Sequence, residues 1–136
     1  MISFLLSVRP SFRYALLILY VGIIMALSLL PPQDFPQVPL FENADKVVHF
    51  LMYFGFAMLS SWTLKVELNR SRVWLILPST IGWGILMEVF QFEMHLGRSY
   101  SFYDMLANTT GSTVGILVYL LATRSAFKKM VQESNF

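Results

Sequence analysis

Asp45, Lys46, His49 and Tyr53, then Glu88 and Gln91, then Arg98, Asp104 and Asn108 are the residues whose types and spacing could do chemistry. Most stand in runs that are otherwise apolar, where an ionisable side chain is costly unless paired or wetted and so marks a candidate site. At about 100° per residue, Asp45, His49 and Tyr53 share one helical stripe, and Thr80, Gly84, Glu88 and Gln91 share another. Asp104, Asn108, Gly111 and Gly115 form a third, whose two glycines make a GxxxG pattern suited to close helix approach. Gly84 extends the same small-residue packing to the second stripe.

Three kinds of chemistry fit this set. Lys46 and Arg98, together with the positive ends of helices that begin beside them, suit an anion such as a lipid-linked phosphate or a carboxylate. Asp45, His49, Glu88 and Asp104 could instead collect a divalent cation that activates water. No HExxH or comparable spacing identifies a metal, and no cofactor is expected. Glu88 with His49 could also exchange protons, since both groups titrate near neutrality when desolvated. The catalytic candidates are therefore His49, Glu88 and Asp104. A ligand would meet Lys46, His49, Tyr53, Glu88, Gln91, Arg98, Asp104 and Asn108, while Gly84, Gly111 and Gly115 pack the helices.

A plainer reading has Asp45 and Asp104 capping the two helices that start near them, with Lys46 snorkelling to the interface. The polar cluster would then knit helices together and bind nothing. Glu88 and Gln91 resist this account, because an acid at a helix C-terminus opposes the dipole and must find a cation or a proton. Arg98 is the partner expected for it.

The elements that must position these residues follow from composition. The 136 residues are 56% hydrophobic and 13% charged, whereas about a quarter of an ordinary soluble domain is charged. A spanning helix needs about 20 apolar residues. The apolar runs predict an all-α membrane protein of four transmembrane helices, over residues 14–30, 45–64, 73–91 and 104–123, in one domain covering residues 1–136. The first run, with Arg9 and Arg13 before it and Ala26-Leu27-Ser28 near its end, has features of a signal peptide, but its length favours a retained span. Pro31, Pro32, Pro36 and Pro39 mark an extended outer loop, and Pro78 predicts a kink in the third helix.

Charge sets the orientation. Arg9, Arg13, Lys65, Arg70, Arg72, Arg124, Lys128 and Lys129 fall on one side as cytoplasmic anchors, against Lys46 and Arg98 on the other, so both termini are expected in the cytoplasm. The candidate residues then gather on the outer face. The leading expectation is an outward-facing polar pocket that binds an anionic envelope component such as a lipid-linked precursor, with a membrane-embedded hydrolase or transferase acting on a lipid-linked phosphate as the alternative. Cysteine is absent, which excludes thiolate nucleophiles, thiolate metal sites and disulfides. No basic run exceeds Lys128-Lys129, so nucleic acid is not an expected partner. Asn69-Arg70-Ser71 and Asn108-Thr109-Thr110 match the glycosylation pattern by chance, one being on the inner side and one at membrane depth.

The segments Asp45-Lys46-Val47-Val48-His49-Phe50-Leu51-Met52-Tyr53, Glu88-Val89-Phe90-Gln91, Gly97-Arg98 and Asp104 to Gly111 with Gly115 together resemble the VanZ-like membrane proteins. The combined pattern DKxxHFxxY, ExxQ, GR and DxxxNxxGxxxG covers most of residues 45–119. The resemblance implies a small multi-pass protein of the bacterial cytoplasmic (inner) membrane, whose best-known relative is linked to low-level resistance to the glycopeptide teicoplanin. It implies no established reaction, oligomeric state or drug-resistance role for this chain. Phe92-Glu93-Met94-His95-Leu96 departs from the family pattern, so Glu93 and His95 inherit no role.

Overall fold

The computed structural model describes residues 7–30, 43–94 and 101–134, and all their regular structure is helical. Helix α1 spans Pro10–Leu29. Helix α2 spans Ala44–Thr63, and a 3-10 turn at Arg70–Arg72 leads into α3, Val73–Glu93. Helix α4 spans Phe102–Ser134. Three of the four, Pro10–Leu29, Arg70–Glu93 with its leading turn, and Phe102–Arg124, are long and apolar enough to cross a membrane. Helix α2 matches α1 in length at 20 residues, but Asp45, Lys46, His49 and the Ser60-Ser61 pair dilute its apolarity.

The sequence boundaries shift in two places. Proline takes the first position of α1, where its missing N–H has no intrahelical partner to lose, so the helix begins before residue 14. Helix α4 begins ahead of Asp104 and continues past Arg124 as one helix of 33 residues, beyond its apolar stretch. Pro78 lies in the second turn of α3 and does not interrupt it.

Helix α2 is the hub. It packs most extensively along α4 and also meets α1 and α3. Helices α2 and α4 run side by side in the same direction, because a Cβ on Gly111 would collide with the Phe50 carbonyl and one on Gly115 would lie 2.5 Å from the Phe54 carbonyl oxygen. Only glycine lets the two backbones approach this closely. Ala57, Val66, Ile76, Ile116 and Tyr119 form one core cluster; Ile24, Tyr53 and Phe56 form another nearer the site. Large apolar side chains such as Ile18, Trp74 and Leu121 are exposed, an outward surface suited to lipid rather than water.

At the basic end, Arg13 is not the exposed anchor that charge counting expects: it is fully buried. Its Nη1 donates to the Trp62 carbonyl at 2.9 Å and its Nε to the Val8 carbonyl at 3.1 Å. The guanidinium also lies 4.8 Å from the centre of the Trp62 ring, a cation–π contact. The Trp62 carbonyl belongs to the last turn of α2, where backbone oxygens lack helical partners and a cation is favoured. Arg72 serves the same end by donating to the Leu64 carbonyl. There α2 closes with Lys65 in the left-handed region at φ 49, Lys65 N–H bonded to Trp62 O and Val66 N–H to Ser61 O, the Schellman pattern.

Candidate functional site

The opposite end of the bundle gathers the first turns of α2 and α4 and the last turns of α1 and α3. Asn43 precedes α2 with φ 64 and makes no side-chain cap. Asp45 is therefore inside the first turn and does not cap the helix. Neither does Asp104, because α4 starts earlier: the Ser101 Oγ accepts from the Asp104 N–H at 3.3 Å. This is half of a capping box, visible in the sequence as Ser101-Phe102-Tyr103-Asp104. Sequence reasoning missed Ser101, although the S-x-x-D spacing was the signal that finds it.

Freed from capping, Asp104 faces α2. Its Oδ1 lies 3.3 Å from Lys46 Nζ and its Oδ2 lies 3.9 Å from His49 Nε2. Lys46 also pairs with its exposed neighbour Asp45. The other ring nitrogen of His49, Nδ1, sits 3.1 Å from Asn108 Oδ1. One turn below, Gly84 of α3 leaves space that Tyr53 and Asn108 fill, each coming within 3.2 Å of where a Cβ would be. Glu88 stands one turn further along α3, 1% exposed, and its Oε2 accepts the Ser101 N–H at 3.4 Å. Ligand atoms of His49, Glu88 and Asp104 all come within 4.8 Å of one another.

Thus the structure brings Lys46, His49, Glu88, Asp104 and Asn108 together, with Tyr53 beneath them. The Tyr53 hydroxyl is buried and has no hydrogen-bond partner among the described residues. Gln91 goes elsewhere. Its Nε2 donates to the Ser28 carbonyl of α1 at 2.8 Å, satisfying one of the carbonyls that every helix leaves open in its last turn. Arg98, expected to partner Glu88, lies outside the described residues, as does His95. Among the described residues the cluster holds more carboxylate than cation, since Lys46 is shared between Asp45 and Asp104.

The VanZ/LLP1 family model matches residues 9–123. An uncharacterized protein of Schizosaccharomyces pombe is similar to this chain, with 25% identity over 95 residues, which is 70% of the chain and 57% of that protein. The chain thus spans little more than half the length of that relative. No solved structure matches. The matched segment takes in the polar cluster, helices α1 to α3 and most of α4, and the chain belongs to the VanZ/LLP1 family.

Proposed function

We propose that the chain is a membrane-embedded hydrolase or transferase acting on a lipid-linked phosphate, with His49, Glu88 and Asp104 at its centre. The observation that carries this reading is their convergence within 4.8 Å near the ends of the helices, the level at which a spanning bundle would meet lipid headgroups. In the reaction an attacking water or hydroxyl gives its proton to a basic group of the cluster. Its oxygen then bonds to phosphorus as the bond to the leaving oxygen breaks, and the leaving oxygen takes up a proton. Lys46 and the positive dipole ends at the N-termini of α2 and α4 offset phosphate charge. Basic residues at the opposite end of the bundle support an outward-facing site in the bacterial cytoplasmic membrane.

A second reading, binding of an anionic envelope component without turnover, draws on Lys46 and the same two helix N-termini. The surplus of carboxylate around His49 favours chemistry over simple anion capture. The test incubates the purified chain in nanodiscs with a polyprenyl diphosphate and follows phosphate release by mass spectrometry. Wild type should turn the substrate over, and Glu88→Gln and Asp104→Asn should each slow it by about 100-fold or more, with Asp45→Asn close to wild type. Saturable binding with an unchanged substrate pool would transfer support to the second reading.

A further inference from the structure

The groups at the centre of the cluster confront one another as electron-pair donors. An amide oxygen can only accept a hydrogen bond, so the contact between His49 Nδ1 and Asn108 Oδ1 at 3.1 Å puts the proton of the neutral ring on Nδ1. The lone pair then sits on Nε2. That nitrogen faces Asp104 Oδ2 at 3.9 Å, and a carboxylate oxygen also offers only lone pairs. The Glu88 carboxylate joins them from α3, all three within 4.8 Å and largely out of water. One divalent cation between them would satisfy all three electron-pair donors at once. Lys46 is not that cation: it approaches Asp104 from the other oxygen, Oδ1, at 3.3 Å, and holds Asp45 as well.

We infer that His49 Nε2, Glu88 and Asp104 bind one divalent transition-metal ion. Imidazole with two carboxylates is a ligand set for zinc or manganese, three protein ligands leaving a position open for water or a phosphate oxygen. Ligand atoms about 2.1 Å from a shared ion stand roughly 3.5 Å apart, so side-chain movement of about an ångström closes the site. The supporting shell is already present. Asn108 fixes the tautomer and direction of His49, and the Ser101 N–H holds the second oxygen position of Glu88, as outer groups do around a metal. The buried Tyr53 hydroxyl lies one turn along α2 from His49 and has no hydrogen-bond partner among the described residues. It is the donor available to a metal-bound oxygen on the inner wall.

This inference deepens the proposed function and uses the same three residues, but its test does not need turnover. The full chain in detergent is stripped with EDTA and titrated with Mn²⁺ or Zn²⁺ by calorimetry, and its thermal unfolding is followed with and without the ion. One ion per chain and a raised Tm are expected. His49→Ala, Glu88→Gln and Asp104→Asn should each weaken binding by about 10-fold or more, while Asp45→Asn leaves it near wild type. Gel filtration and helical circular dichroism establish that each variant is folded, and the near-isosteric Glu88→Gln and Asp104→Asn decide the result if His49→Ala is not. No saturable binding, or binding that survives both isosteric changes, overturns the site. EDTA-insensitive turnover of a polyprenyl diphosphate would overturn the metal and keep the enzyme; metal binding with no turnover would do the reverse.

Discussion

Glu88 and Gln91 sit three residues apart on one buried face of α3, and they serve different ends. The Glu88 carboxylate turns toward His49 and Asp104, whereas the Gln91 amide crosses to the Ser28 carbonyl of α1. A carbonyl in the last turn of a helix has no helical donor, and burying it without one is costly. Gln91→Ala should therefore lower stability by about 1–2 kcal/mol, seen as a fall in Tm in detergent, while turnover per folded molecule stays near wild type. Normal Tm with lost turnover would instead make Gln91 a ligand contact. The shared stripe was legible from spacing alone; which of the two residues reached the cluster was not, because a stripe fixes a side chain's direction and not its partner.

At the scale of elements, the α2–α4 seam holds the site in register. His49 and Asn108 meet across it, and so do Lys46 and Asp104. Their meeting depends on the close backbone approach at Gly111 and Gly115 below. Gly111→Ala should cost about 1–3 kcal/mol through overpacking and reduce turnover as well, by spreading His49 from Asn108. Gly82→Ala is the control, since nothing lies within 4 Å of a Cβ there and alanine is the better helix former by about 1 kcal/mol. Comparing Tm and turnover of the two variants checks this. Equal tolerance at both positions would mean that α2 and α4 stand further apart than described. The GxxxG pattern was readable in the sequence, but its partner helix was not. The start of α4 was also misplaced, since Asp104 invites reading as a cap until Ser101 is seen to take that role.

For the whole molecule, the two ends of the bundle divide the work. One end is tied by Arg13, Trp62, Arg72 and the Glu67–Tyr119 hydrogen bond of 2.6 Å; the other gathers His49, Glu88 and Asp104. If the basic end faces the cytoplasm, Met94→Cys should react with a membrane-impermeant maleimide on intact cells and Leu68→Cys only after permeabilisation. Both positions are exposed, and the chain contains no cysteine to confuse the labelling. The opposite pattern would put the site on the cytoplasmic face. Helical class, apolar spans, three polar stripes and the uneven charge were all legible in the sequence, because lipid solvation and helical periodicity act on every residue according to its type and position along the chain. Which buried charge is structural, as for Arg13, and which converge, as for His49, Glu88 and Asp104, was decided only in three dimensions, because a charge in a low-dielectric interior is governed by the few atoms that tertiary packing brings within a few ångströms of it.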